Sequence, residues 1–522
     1  MIHKARWPTV LVVLVLLAAA PGGSTGAGFA RRGFYLHGCW VFNYPFAVRC
    51  WQPADYAHMF GLLRRLGFNT VMLWPVLETI PAPLSPADRA ALANYRQTIA
   101  DAQAAGLECW LTQCPNLTVP PELGAKPWAA RSLMRYARNV RLDRPEEAEP
   151  FYRHRAAILE ILNNADGYVT IDGDPGGYPG ARPAEFLEVF RRDRQTIDRA
   201  GTHPKTQKVI PWIWCGWGTK GVWREPIEPF VRATLATLKP RPLEPFELLP
   251  GRSIREGHAN GRINMDLVSQ AGLLDRSTLM LYEIIEFEPS VPSARLQLAD
   301  VRRVIREELT RSSAARGCFG NAQQPVMVLP NLYLFGRGAQ DPAYLDQPDE
   351  KVLGDLARLL GGPPELLVPA WSCLGLPLER IPGDLPARLR STRLSGAAAA
   401  DLPGGPERYL EILACHADAQ IRLLNACRQP AGTRSEAARA IADATGALVG
   451  WWRVHRYVFD GEGREPFAWR FVPGSQLAVL RQWCRRNRSA ALDAAEEAAQ
   501  QIASRGILPA PEASQRVQEL FR

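Results

Sequence analysis

Residues 166–180 read DGYVTIDGDPGGYPG, an apolar run that ends in two carboxylates. Residues two apart in a strand share a face, so Asp172 and Asp174 would project together with backbones about 6–7 Å apart. Carboxylates that close raise one another's proton affinity, and one of them can then hold a proton near neutral pH. That is what an acid–base residue beside a charged helper requires. Gly173, Gly176 and Gly177 let the chain turn sharply and leave room for a ligand. Two other readings compete: a surface turn that favours Asp for its own sake, and a DxD pair holding a divalent cation. The reading adopted uses no metal and no cofactor.

A third acid, Glu283, closes the apolar run LMLYE and would face the pair from across the fold. Glu286 and Glu288 read as solvated loop charges. Around these acids stand polar and aromatic residues at the ends of other apolar runs. His37, Trp40 and Asn43 belong to the first, Trp74 (with Glu78 just beyond) to the second, and Trp110, Gln113 and Asn116 to the third. Tyr178 flanks the acid pair, and Trp212, Trp214 and Trp217 belong to WIWCGWG. Tyr282 precedes Glu283, and Asn331, Tyr333 and Arg337 lie in NLYLFGR. Sugars present flat C–H faces and rings of hydroxyls; rigid aromatic side chains cover the former, and carboxylate, Asn and Arg groups bond the latter. Expected catalytic residues are Asp172, Asp174 and Glu283. Expected substrate-binding residues are His37, Trp40, Asn43, Trp74, Tyr178, Trp214, Trp217, Tyr282, Asn331 and Arg337. Trp110 and Trp212 read equally well as plugs of a core, and His37 as a core histidine.

The elements that must position these groups alternate. Strand patterns at 34–41, 68–75, 107–115, 167–172, 207–217, 277–285 and 325–335 are interleaved with helix patterns at 53–67, 85–106, 146–165, 182–201, 226–238 and 295–311. A further strand is expected between 239 and 276, around FELL at 246–249. Ser85 followed by Pro86 is a helix start, and Gly67 and Gly106 are helix stops. Short connections and apolar, β-branched strands imply a parallel sheet covered by helices. About eight βα units over residues 31–340 imply a (β/α)8 TIM barrel, whose functional groups gather at the C-terminal ends of its strands. The first strand is not followed by GxGxxG, which argues against a dinucleotide-binding open sheet. From 341 to 522 strand patterns vanish, and the segment reads as an α-helical C-terminal domain.

The chain has 522 residues, enough for a large domain and a smaller one. Its net charge of +9 is spread out, with RRNR at 485–488 the densest basic cluster. That is too short for a nucleic-acid surface. Residues 1–27 place Lys4 and Arg6 before an apolar run from Val10 to Ala20 and then small residues, the layout of a secretory signal peptide. A secreted or periplasmic protein with no membrane span after signal removal is expected. Its ten cysteines contain no CxxC, and Cys109 with Cys114 or Cys39 with Cys50 are the local pairing options.

On VTIDGDPGGY (169–178), WIWCGWG (212–218) and HGCWVFNY (37–44), the chain resembles the barrel glycoside hydrolases, loosely the hexosaminidase type. Those enzymes also carry paired acids after the fourth strand and line their pockets with tryptophan; here one glycine separates the acids. The resemblance implies acid-assisted cleavage of a glycosidic bond in an oligo- or polysaccharide. The alternative is a non-catalytic carbohydrate-binding barrel protein of the cell envelope. Nothing in the sequence fixes an oligomeric state.

Overall fold

The computed structural model describes residues 28–38, 48, 51–131, 133–171, 182–213, 227–240, 243–253, 260–282, 296–322, 324–374 and 381–428, with 500 and 504. Eight parallel strands close into a barrel: β1 Arg31–His37, β2 Thr70–Trp74, β3 Glu108–Gln113, β4 Gly167–Ile171, β5 Lys208–Ile213, β6 Leu249–Ser253, β7 Thr278–Tyr282 and β8 Gly317–Ala322. Each strand pairs with its sequence neighbours, and β8 returns to β1. A helix follows each: α1 Pro53–Arg65, α2 Pro86–Ala104, α3 Pro145–Ile161, α4 Pro183–Ala200, α5 Ile227–Leu238, α6 Asn260–Gln270, α7 Leu298–Arg311 and α8 Leu329–Gln340. This is a (β/α)8 barrel. Ser85 caps α2 by accepting from the Asp88 amide at 3.0 Å, as SPAD leads one to expect.

Sequence alone misplaces the last strand. The apolar run 325–335 is not the last strand: its residues from 329 onward form α8. α8 is buried nearly all round, so its sequence shows neither helical nor strand periodicity. The true β8, GCFGNA, carries two glycines and weak strand propensity. A Cβ at Gly317 would lie 2.1 Å from the Arg31 carbonyl oxygen, so tight pairing with β1 selects glycine there. The strand expected between 239 and 276 is there: FELL leads into it through isolated bridges, Phe246 to Val209 and Leu248 to Ser277, and its Leu249 opens β6, LPGRS.

The barrel interior is layered. At the N-terminal end, Arg31 bonds Glu108 (2.9 Å), Glu247 and the Thr278 hydroxyl (3.1 Å), and Lys208 pairs with Glu108. Burial alone would push Glu108 up, but the Arg31 and Lys208 charges, with hydrogen bonds from Lys208 and Trp110, bring it down to about 2. Above this ionic floor lie Trp110 and Phe319, their rings 4.9 Å apart, with Met72, Val169, Ile210 and Met280. Gly167 and Gly33 leave the space these rings fill: a Cβ on Gly167 would meet Trp110 at 2.9 Å, and one on Gly33 would meet Phe319 at 2.3 Å. Trp110 is therefore a plug.

Beyond Gln340 every described element is helical: α9 Asp349–Leu359, α10 Pro364–Ser372, α11 Leu385–Ser391 and α12 Gly405–Arg428, with single helical turns between them. One apolar cluster runs from Leu63 of α1 through Phe335 of α8 to Trp371 and Tyr409. The Trp371 indole donates to the Tyr409 hydroxyl at 2.7 Å inside it. Arg65 on α1 also pairs with Asp401 at 2.6 Å.

Candidate functional site

Toward its C-terminal mouth the barrel carries a buried ladder of rings, none more than 3% exposed. Trp212 on β5 meets Tyr35 on β1 edge-on at 5.3 Å, Tyr35 meets His37 at 5.3 Å, and His37 meets Trp74 on β2 edge-on at 4.7 Å. The register explains the last contact, since His37 and Trp74 are paired terminal residues of adjacent strands. Alternation explains the rest: Tyr35 and His37 are two apart on one strand and share its inner face. Burial holds the His37 imidazole down to about 3, so it is neutral at any physiological pH. The Trp212 indole N–H and the Thr112 hydroxyl are buried here without a hydrogen-bond partner among the described residues. Asn321, the penultimate residue of β8, lies on the same face as Phe319 and is fully buried.

Glu78 fixes the outer end of the ladder. One carboxylate oxygen accepts from the Trp74 indole at 3.2 Å, and the other accepts from the Cys114 amide. Glu78 is 7% exposed, so it is a wired carboxylate and not a loop charge. Val76 reaches it through a left-handed backbone, φ 63° and ψ 54°, a conformation that is strained for a β-branched residue. The strain turns the chain after β2 back across the mouth.

A second polar network braces β3 and β4 from behind. Arg155 on α3 grips Asp193 on α4 with two nitrogens, at 2.7 and 2.8 Å. The same guanidinium donates to the Cys114 carbonyl at 2.7 Å and to the Thr170 hydroxyl at 2.7 Å. Gln113 reaches Asp193 at 3.4 Å. The Cys114 peptide is thus held at both its N–H and its C=O, and Thr170 is held two residues before Asp172.

Of the expected site residues, His37 and Trp74 meet at the mouth. Tyr282 is the last residue of β7, paired in register with Ser253. Asn331 and Arg337 must be corrected: they stand on α8 and not at a strand end. Asn331 is fully buried and accepts from the Gln297 amide at 2.8 Å, a helix-to-helix tie. Arg337 lies in the last turn of α8 with its guanidinium 5.4 Å from the Tyr344 ring centre. Both were displaced by the same error that took a buried helix for a strand. Asp172, Asp174, Tyr178, Trp214, Trp217, Glu283, Trp40 and Asn43 lie outside the described residues. Tyr35 and Asn321 were missed. Tyr35 was legible from its two-residue offset to His37, whereas Asn321 was hidden in the unrecognised β8. Cys109 and Cys114 are not paired. Five residues apart, they fall on opposite faces of the chain: Cys109 joins the outer core and Cys114 the barrel interior. Among the described residues, no group of three metal-ligating side chains occurs and no helix is long and apolar enough to cross a membrane.

No family model matches. No curated protein matches either. Among solved structures, the chain is similar to an O-GlcNAc hydrolase mutant of Thermobaculum terrenum, at 14% identity over 89% of this chain and 96% of that one, TM-score 0.47. It is also similar to a GH138 enzyme targeting pectin rhamnogalacturonan II, at 10% identity over 90% of this chain and 68% of that one, TM-score 0.47. A third similarity is to CpGH84B, at 11% identity over 82% of this chain and 74% of that one, TM-score 0.45.

Proposed function

We propose that the protein is an exported glycoside hydrolase acting on an oligo- or polysaccharide at the C-terminal mouth of its barrel. The observation that carries this is the buried ring ladder Trp212–Tyr35–His37–Trp74, a rigid aromatic layer beneath the mouth that fixes the strand ends from which a sugar-binding site would be built. The acid pair follows β4 in sequence. Asp174 acts as the general acid, Asp172 orients it or polarises the substrate, and Glu283 assists from the β7 side. The neutral His37 imidazole does not compete for that proton; it braces Trp74. The signal-like residues 1–27 support export to the periplasm or medium.

The test is a screen of the purified protein against aryl glycosides and polysaccharide fragments. Turnover of at least one glycoside, with release of reducing sugar, is expected. Binding of oligosaccharide without turnover of any panel member would replace the enzyme with a non-catalytic carbohydrate-binding barrel.

A further inference from the structure

A second aromatic cavity lies directly behind the ladder. It opens to solvent and is lined by Gly38, Pro75, Trp51, Tyr56, Tyr95 and Trp128. Its rings form a connected, mutually tilted set: Trp51 to Tyr56 at 5.4 Å, Tyr56 to Tyr95 at 6.0 Å and Tyr95 to Trp128 at 5.7 Å. The partition between cavity and mouth is one residue thick. Gly38 follows His37 and Pro75 follows Trp74, so the ladder rings belong to the mouth and the next residues to the cavity. The Gly38 amide donates to the Trp74 carbonyl at 3.1 Å, and a Cβ there would lie 2.2 Å from that oxygen.

The outer wall is built in. Trp128 rides on a loop held by Arg131, which is 1% exposed. Arg131 pairs with Asp88 of α2 at 2.7 Å and donates to the carbonyls of Lys126 (2.9 Å) and Thr79 (3.2 Å). An ion pair that deep fixes geometry, because separating its members strands a buried charge. The cavity is therefore pre-organised, which lowers the ordering cost of binding.

We propose that this cavity is a saccharide subsite that takes a neighbouring pyranose unit of the same chain whose scissile bond lies in the mouth. This rests on the mouth being a saccharide site. Aromatic faces receive the C–H surface of the ring, and the phenol edges meet its hydroxyls. Burial pushes the Tyr95 hydroxyl well above its ordinary range, so it stays a protonated donor. Among the described residues that line it there is no carboxylate.

Calorimetric titration of the full chain with cello-, chito-, manno- and xylohexaose, and with tetramethylammonium, decides the matter without requiring hydrolysis. Trp128→Ala removes the outer wall, and Ala129→Phe fills the cavity from its rim. At least one hexasaccharide should bind, and both variants should weaken it about tenfold, or about 1.4 kcal/mol. Cleavage of the matching aryl monosaccharide should stay within about twofold, because that substrate does not reach the cavity. Hexasaccharide binding that is absent, or unchanged in both variants, overturns the subsite. So does tetramethylammonium displacing the sugar. Failure of the glycosidase reading is separate: hexasaccharide binding that depends on Trp128, with no glycoside cleaved, keeps the subsite and removes the enzyme.

Discussion

Glu78 joins the end of β2 to the end of β3, and it uses both oxygens to do so, on the Trp74 indole and the Cys114 amide. An amide in its place can accept at only one position and must point its NH2 at the other donor. Glu78→Gln should therefore cost about 1–3 kcal/mol in urea unfolding, the penalty of an unmet buried polar group. Its indole fluorescence should also report a loosened Trp74. His37 makes a pH prediction. The folded protein keeps it neutral down to about pH 3, whereas in the unfolded chain it titrates near its ordinary value of about 6.5. Between those values the unfolded state binds more protons. His37's contribution to stability is thus complete above about pH 6.5 and is lost as pH falls toward 3. Urea melts at pH 7.5, 5.5 and 4.5 should show the wild type weakening more steeply than His37→Gln. Parallel slopes would contradict the assignment. Glu78 was visible in the sequence only as an acid just past a strand, because its value depends on a left-handed Val76 that propensity does not foresee.

At the scale of elements, α3 and α4 do more than cover the sheet. Through Arg155 and Asp193 they hold the ends of β3 and β4 in register. Arg155→Met would leave Asp193 buried and unpaired, at a cost of about 3–5 kcal/mol by chemical denaturation. The double variant Arg155→Met with Asp193→Leu should recover much of that loss, since no orphan charge remains. A single-variant cost near zero would show that the pair does not brace the strands. Helix and strand order was legible wherever amphipathic helices such as α4 alternated with β-branched strands such as β4. It failed where burial erased the pattern, in the almost wholly buried α8, and where packing chose glycine over propensity, in β8. Asn331 and Arg337 fell with those elements. The Arg155–Asp193 brace was not legible, because two charged residues on separate helices look like solvated faces until the helices are packed.

For the whole molecule, the two ends of the barrel divide the work. The N-terminal end is closed by the Arg31, Glu108, Lys208 and Glu247 cluster, and the C-terminal half carries a buried layer of aromatic rings. Glu108 is held down to about 2 in the fold, against about 4.3 in an unfolded chain. Its stabilisation is therefore present above about pH 4.3 and lost as pH falls toward 2. Glu108→Gln should lower the melting temperature at pH 7, and the gap from wild type should narrow on acidification below that value without a change in saccharide binding. The proposed function is tested most directly at the two acids that follow β4 in sequence. Asp172→Asn and Asp174→Asn should each retain oligosaccharide binding while cutting turnover by about 100-fold or more, the scale of a lost general acid. Full turnover in both variants, on any glycoside the wild type cleaves, would contradict the account at its centre.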